Sequence, residues 1–377
     1  MKVSYLLSSI AFIALATKPA VAIGLAYTPY VLGTGTANDI NSSRTVVGQI
    51  YTTTGGYASS AFSYSGGVLV NLGTLAGDTY GGASAINDSG VIVGASSNPN
   101  TAARGIRYSG GVMSEINGGA PYTYASGINN SGVIVGETRA AAVAFVNNGG
   151  VVTTLGTLGG PYSGAAAINN SGTVVGRADV THSLTHAFRY AEGVMTDLGG
   201  LFSYRNPSYA WDINDAGIIV GDSGVNGYIR AFRFSGGVMS PLPTPNEFHS
   251  SAMAINSAGL IVGSYTASSP NADHAALWDG NTLVDLAPYL NQVGLTGWNS
   301  RAMGINDQGD IVGDAWDVNY DHRAFLLAIP EPSPILLFVV GSALLGQALR
   351  AGGAWSPRTT NQRMKSCPDE CDKDAAA

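Results

Sequence analysis

One short motif occurs seven times in this sequence, and it restricts the fold more than any other feature. The motif is Ala-x-x-Ile-Asn-x-x-Gly-x-Φ-Val-Gly, where Φ is apolar, and some copies drift from it. A repeat every 40 to 50 residues is typical of chains built from stacked supersecondary units. The seven Ile-Asn pairs are Ile40-Asn41, Ile86-Asn87, Ile128-Asn129, Ile168-Asn169, Ile213-Asn214, Ile255-Asn256 and Ile305-Asn306.

Two positions of the motif predict specific structural roles. Alanine stands four residues before every repeated asparagine, and so strict a small side chain predicts a crowded packing site. The segment Asn-Asp-Ser-Gly at 87–90 and its equivalents separate two apolar stretches, which is hairpin chemistry. The repeated asparagine is therefore interpreted as a turn-former, and a ligand role for the seven asparagines is the alternative.

A second hairpin follows each motif. In Ala61–Val68 and Ala231–Val238, aromatic residues alternate with period two and Gly-Gly marks the turn. Runs of the type Val-x-x-x-Leu-Gly, as in Val68–Gly73, supply a fourth strand. Four short antiparallel strands per repeat match one propeller blade, so the sequence predicts an all-β, seven-bladed β-propeller with four-stranded blades.

The two termini of the repeat region complement each other. The seventh unit ends at Ala324–Leu327, directly before Pro330, and so lacks a fourth strand. Tyr30–Gly33 precedes the first motif just as Val70–Gly73 precedes the second. We therefore expect an exchange of strands between the N and C termini that completes the last blade. An open β-solenoid is the alternative architecture.

Part of the repeat is similar to a known family. His186–Tyr190 and Leu155–Gly160 resemble the extracellular HAF repeat family, and the resemblance spans roughly residues 30 to 327. It implies export, and it implies no particular chemistry, because the family has none assigned.

The N terminus has the three regions of a secretory signal. Lys2 is followed by an apolar run from Tyr5 to Ala16 and by Ala20-Val21-Ala22. The sequence predicts a signal peptide over residues 1–22, removed on export. An uncleaved N-terminal anchor is the alternative, although the run is short for a membrane span.

The C-terminal region resembles a sorting signal. Pro330-Glu331-Pro332, an apolar helix predicted over 335–349 and Arg350 are similar to the PEP-CTERM signal of Gram-negative, polysaccharide-secreting bacteria. The resemblance implies an exosortase-like processing enzyme as partner and membrane attachment through residues 330–350 before processing. A plain C-terminal anchor is the alternative, and residues 351–377 are expected to be a disordered tail. The propeller is assigned to residues 23–329.

Composition excludes several classes of function. The net charge is −7, and no basic cluster interleaves with aromatic residues, which argues against nucleic acid as a partner. Both cysteines, Cys367 and Cys371, lie in the last eleven residues, so a disulfide framework or a cysteine-built metal site in the folded body is excluded. No cofactor and no metal are predicted.

Three local patterns were tested for chemistry. Gly221–Gly224 looks like a serine-protease nucleophile segment but closes the fifth motif, so no catalytic residue is assigned there. Asp317–Asp321 begins like a calcium loop, but His322 stands where an EF-hand needs glycine; an irregular calcium site stays an alternative. His186 and His274 share one repeat position that other residues occupy elsewhere, which argues against a catalytic base.

The sequence leaves three functions: a non-catalytic binding or adhesion propeller at the cell surface or in an exopolysaccharide matrix, a purely structural matrix protein, and a carbohydrate-active hydrolase or lyase. We favour the first. Variable connections carry aromatic residues beside polar ones, a combination that suits sugar surfaces. Packing of these rings between blades is the alternative. The candidate ligand-binding residues are Tyr122, Tyr162, Tyr204 and Trp298.

Overall fold

The computed structural model describes residues 26–330, apart from 53–57, 117–121, 139–141, 247 and 268–271. The predicted signal peptide, residues 1–22, lies outside these residues. The predicted apolar helix and tail and all of the sorting motif except Pro330 also lie outside them. In the described part of the chain, no helix is long and apolar enough to cross a membrane.

Each motif copy opens a unit of short antiparallel strands, and the units are numbered here by their motif. In the first three units the strands are β1 (Thr28–Ile40), β2 (Val46–Tyr51), β3 (Ser59–Ser65), β4 (Val68–Gly73), β5 (Tyr80–Ile86), β6 (Ile92–Ser97), β7 (Arg104–Ser109), β8 (Val112–Glu115), β9 (Thr123–Ile128), β10 (Ile134–Thr138), β11 (Val143–Asn148) and β12 (Val151–Gly156).

The later units repeat the pattern, with one short helix, α1 (Ala287–Leu290), and a 3₁₀ turn (Asn291–Val293) before the seventh. Their strands are β13 (Ser163–Ile168), β14 (Val174–Thr181), β15 (Leu184–Ala191), β16 (Val194–Asp197), β17 (Ser208–Ile213), β18 (Ile219–Val225), β19 (Tyr228–Ser235), β20 (Val238–Pro241), β21 (Ser250–Ile255), β22 (Ile261–Thr266), β23 (Asp273–Asp279), β24 (Thr282–Asp285), β25 (Asn299–Ile305), β26 (Ile311–Trp316) and β27 (His322–Ala328).

The third to sixth units are separate four-stranded sheets in which each strand pairs with its neighbours in sequence. The long strand β1 behaves differently, because its two halves belong to different units. Its first half pairs with β27, with Thr28 opposite Ala328 and Tyr30 opposite Leu326, whereas Gly35–Ile40 pairs with β2. The predicted pairing of Tyr30–Gly33 with the last strand is therefore confirmed.

The repeated asparagines make two kinds of hydrogen bond. Within each turn the Oδ1 atom accepts a backbone N–H four residues later, as from Val133 to Asn129 at 3.0 Å, which confirms the turn-forming interpretation. The Nδ2 atom donates to the backbone carbonyl of the next unit's asparagine, as from Asn87 to Asn129 at 3.0 Å. Asn306 donates to Asn41 at 3.2 Å, so this series of bonds returns to its start. The whole series runs through Asn41, Asn87, Asn129, Asn169, Asn214, Asn256 and Asn306.

The small residues of the motif lie where two strands approach closely. The repeated alanines are at most 4% exposed, which confirms the predicted packing site. The final glycine of each motif faces an irregularity in the first strand, and a Cβ there would lie 1.9–2.1 Å from a backbone carbonyl oxygen. Only glycine fits without moving the backbone. These glycines are Gly48, Gly94, Gly136, Gly176, Gly221, Gly263 and Gly313.

The apolar core is repeated between neighbouring units. Val175 and Ala187 of the fourth unit pack with Phe232 of the fifth, and Phe62 of the first unit packs with Val312 of the seventh. One phenylalanine position of the third strands is fully buried, at Phe62, Phe145, Phe188, Phe232 and Phe325. Because the first and last units share a cluster, the hydrophobic contacts follow the same cycle as the asparagine bonds.

Candidate functional site

The antiparallel strands place two kinds of connection at opposite ends of the sheets. The Asn-x-x-Gly and Gly-Gly turns lie at one end, here called the asparagine end. Connections from second to third strands, and from each unit to the next, lie at the other, here called the mouth end. Tyr122, Tyr162, Tyr204 and Trp298 each stand shortly before a first strand and therefore belong to the mouth end.

The asparagine end is a shallow polar ring with a depression of about 200 Å³. The residues after the repeated asparagines bind one another across units. Asp88 accepts the backbone N–H of Ser42 at 3.0 Å, and Asp215 accepts the N–H of Asn170 at 2.8 Å. These side chains are used to join the turns, so this end offers a regular polar surface with little variation in shape.

Two carboxylates join neighbouring units next to the asparagine ring. Asp39 accepts the N–H of Ile86 at 2.9 Å, and Asp212 accepts the N–H of Ile255 at 2.8 Å. Burial raises the pKa of Asp39 to about 6 and that of Asp212 to about 7, and the Asp39 charge adds to the rise in the pKa of Asp212. Both groups therefore titrate well above an ordinary aspartate.

This titration predicts a stability that falls as the pH rises. Between about pH 4 and pH 7 the folded state binds more protons at Asp39 and Asp212 than the unfolded state, so ionising them costs folding free energy. We expect a higher melting temperature at pH 5 than at pH 8, measured by circular dichroism. The double variant Asp39→Asn, Asp212→Asn should flatten this dependence. A melting temperature that rises with pH in this window would contradict the prediction.

The first strands surround a central cavity of about 470 Å³ that reaches the mouth end. Tyr209 and Trp211 stack there, with ring centroids 6.1 Å apart and an interplanar angle of 17°. Asp222 accepts the Trp211 indole N–H at 2.7 Å and the Ser251 hydroxyl at 2.6 Å, which fixes the indole. In every unit the residue after the repeated alanine lines this cavity: Asn38, Ser84, Ser126, Ala166, Trp211, Met253 and Met303.

A crevice of about 560 Å³ adjoins this cavity between the third and fourth units. The two spaces share Glu137, Arg177 and Tyr209 as lining residues. Glu137 on β10 accepts a hydrogen bond from Arg177 on β14, with 3.2 Å between Oε2 and Nη2. Volumes of this size lie within the roughly 300–1,000 Å³ found for small-molecule sites. The mouth end therefore combines aromatic rings, donors and acceptors in one recessed surface.

The four predicted ligand-binding residues have different surroundings. Tyr162 lines the crevice and is 60% exposed. Tyr122 is also exposed, whereas the exposed Tyr204 donates its hydroxyl to Asp197 at 2.6 Å. Trp298 is half-buried and packs against the core of the sixth and seventh units. The part of these residues in binding stays a prediction, and Tyr162 lines the crevice directly.

Sequence reasoning missed Glu137, Arg177 and Trp211. Glu137 and Arg177 follow the final glycine of their motifs, and Trp211 follows the repeated alanine. At both positions the residue type changes from unit to unit although the surrounding motif is constant. The variation at these two positions of the motif is the sequence signal that could have identified the three residues. The prediction used the variable connections alone.

Two histidines at the same repeat position pair with aspartates. Nδ1 of His186 lies 2.9 Å from Asp197, and Nδ1 of His274 lies 2.9 Å from Asp285, with the same separation of eleven residues in both units. His186 is fully buried. These contacts join the third and fourth strands of a unit.

The other two chemical patterns also have structural roles. Ser223 is fully buried and donates its hydroxyl to the Pro207 carbonyl at 2.8 Å. Asp317 accepts backbone N–H groups of its own loop, from Asn319 at 2.9 Å and from Asp321 at 3.0 Å. Within the described ranges, no group of three or more His, Cys, Asp or Glu side chains is arranged to hold a metal ion.

Comparison with known proteins identifies the fold. No family model matches the sequence, and no curated protein matches it significantly. The β-propeller domain of the trilobed protease from Pyrococcus furiosus superposes with a TM-score of 0.52 at 11% identity, covering 81% of this chain and 100% of that one.

Two further solved structures are similar at lower scores. TolB from Acinetobacter baumannii has a TM-score of 0.42 at 12% identity, covering 80% of this chain and 97% of that one. The lectin of Aleuria aurantia has a TM-score of 0.39 at 10% identity, covering 81% and 99%. The chain is therefore an all-β protein with the β-propeller fold, in which the third to sixth units are separate four-stranded antiparallel sheets.

Proposed function

We propose that the protein is a non-catalytic binding propeller that acts at the cell surface or in an exopolysaccharide matrix and holds glycans at its mouth end. The seven units form seven blades in this proposal. The return of the asparagine bonds from Asn306 to Asn41 and the pairing of β1 with β27 support that number. A closed ring gives the mouth end a rigid frame.

The observation that carries the proposal is the contrast between the two ends. The side chains of the asparagine end are bound to one another, whereas the mouth end has two adjoining recesses with exposed and stacked aromatic rings. Aromatic faces beside polar groups match the apolar faces and hydroxyls of a sugar ring. The binding surface is therefore assigned to the mouth end.

Export and sorting are part of the same proposal. Residues 1–22 are removed, and residues 330–350, with Pro330, Glu331, Pro332 and Arg350, attach the chain to the membrane until an exosortase-like enzyme processes it. The support is the sequence pattern at the two termini. A protein so delivered meets extracellular polysaccharide rather than cytoplasmic ligands.

A hydrolase or lyase is the second candidate, and one observation favours it. Glu137 and Asp179 both line the crevice, and many glycoside hydrolases use a pair of carboxylates. Each carboxylate already has a hydrogen-bond partner, since Arg177 donates to Glu137 and the Thr185 hydroxyl donates to Asp179 at 2.6 Å. This arrangement suits fixed recognition groups better than a proton shuttle.

A glycan array probed with protein purified from its native cells tests the proposed function. We expect stable binding to a subset of polysaccharides with no release of shorter products, and a measured mass that lacks residues 1–22. Release of oligosaccharides would favour the hydrolase, and no binding to any glycan would favour the structural matrix protein.

A further inference from the structure

We propose that the crevice between the third and fourth units binds an uncharged sugar residue through neighbouring hydroxyl groups. This inference rests on the proposed function and names the ligand class of one part of the mouth end. The crevice is lined by Tyr162, Glu137, Arg177, Asp179 and Thr138, and each of them contributes to the argument below.

The charged pair supplies a donor and an acceptor side by side. Arg177 Nη2 lies 3.2 Å from Glu137 Oε2, and the two side chains are 43% and 19% exposed. Arginine only donates and a carboxylate only accepts, whereas a sugar hydroxyl does both. Two neighbouring hydroxyls can therefore bind the pair at once, one accepting from Arg177 and the other donating to Glu137.

The charges of the described lining residues disfavour acidic sugars. Among these residues, Glu137 and Asp179 bring two carboxylates to the crevice and Arg177 brings one guanidinium. A uronate or sulfate group placed here would meet at least one carboxylate at close range, which is unfavourable in a recessed site. An uncharged sugar avoids this repulsion and keeps both hydrogen bonds.

Tyr162 is held as a platform at the rim of the crevice. Its backbone carbonyl accepts the N–H of Asp179 at 2.8 Å, and the N–H of Gly160 donates to the Asp179 carbonyl at 2.8 Å. These two bonds fix the segment 160–162 against β14, while the Tyr162 side chain stays 60% exposed. An aromatic residue on a backbone fixed before binding can stack on a sugar face with little loss of backbone entropy.

The position of Glu137 depends on a glycine. A Cβ at Gly164 would lie 2.5 Å from Glu137 Oε2, so the absence of a side chain makes room for the carboxylate. The equivalent position carries Tyr124 in the third unit and Tyr209 in the fifth. The second unit has a similar arrangement, with Gly82 beside Gln49, but Ala95 stands where the fourth unit has Arg177. This comparison identifies the pairing of Glu137 with Arg177 as particular to the third and fourth units.

One buried hydroxyl in the crevice has no hydrogen-bond partner among the described residues. Thr138 lines the crevice, and among the described residues its Oγ1 atom is buried without a hydrogen bond. Buried polar groups are nearly always satisfied, so such a group needs an explanation. A small rotation of the side chain would let the hydroxyl bond to a ligand or to a water that bridges to one.

Isothermal titration of the full-length protein tests the inference. The probes are an uncharged oligosaccharide selected on the array and its counterpart carrying uronate residues. We expect the uncharged probe to bind at least about tenfold more tightly. Tyr162→Ala and Arg177→Met should each weaken its binding roughly tenfold. Tyr320→Ala removes a more exposed ring, in the seventh unit, and should leave the affinity within about twofold of the native value.

The possible outcomes distinguish between the crevice assignment, the ligand class and the proposed function. If the native protein binds the uncharged probe and both Tyr162→Ala and Arg177→Met bind it equally well, the crevice assignment is overturned while the proposed function stands. Tighter binding of the uronate probe would overturn the ligand class. Absence of binding by the native protein would overturn the proposed function itself. Melting curves of all variants confirm that each of them is folded.

Discussion

Removing residues 23–34 while keeping the signal peptide is expected to abolish cooperative folding or to lower the melting temperature by about 10 °C or more. The deletion removes the half of β1 that pairs with β27. Phe325 and Leu327, which are both fully buried, would become exposed to solvent on that side. Several backbone hydrogen bonds of roughly 1 kcal/mol each are lost as well. Thermal unfolding followed by circular dichroism measures the effect.

A control separates backbone pairing from side-chain packing. Tyr30 and Val31 are 43% and 40% exposed, so Tyr30→Thr and Val31→Thr keep the strand and remove mostly exposed apolar surface. We expect this double variant to unfold close to the native temperature. An unchanged melting curve in the deletion variant would show that the strand exchange contributes nothing to stability.

The second large effect is expected at the last glycine of a motif. In Gly94→Ala the new Cβ would lie 2.0 Å from the Gly82 carbonyl oxygen and 3.0 Å from the Ala83 Cα atom. Both are backbone atoms, so the strand pair β5–β6 must separate at the point where it supports the core. We expect such overpacking to lower the free energy of unfolding by about 3 kcal/mol or more, as measured by urea denaturation.

Gly82→Ala is the matched control for this substitution. Gly82 lies on the paired strand of the same unit, and its nearest neighbour to an added Cβ is the flexible Gln49 side chain at 3.3 Å. The free energy of unfolding of this variant should fall by less than about 1 kcal/mol. Equal losses in Gly82→Ala and Gly94→Ala would contradict the account of why the motif requires glycine.

The repeated residues allowed the local fold to be predicted. Alanine and glycine recur because their neighbours are backbone atoms, and the missing fourth strand of the last unit identified Tyr30–Gly33 as its complement. The ring of asparagine bonds was not predicted. A turn-forming Oδ1 explains the repeated asparagine completely, and the second bond, from Nδ2, depends on where the next unit lies.

The candidate site was predicted only in part. Tyr162 was selected as an aromatic residue in a connection, and it lines the crevice. Glu137 and Arg177 are 40 residues apart and meet only because neighbouring units lie side by side. The residues between Gly176 and His186 belong mostly to β14 and β15, which pair up to Thr181 and Leu184.

A crystal structure of the protein with an oligosaccharide selected on the array tests the central claim most directly. The account predicts electron density for sugar rings at the mouth end, with one ring on Tyr162 and its hydroxyls within hydrogen-bonding distance of Glu137 and Arg177. Density on the asparagine end or on the outer strands, with the mouth end empty at saturating ligand, would contradict it.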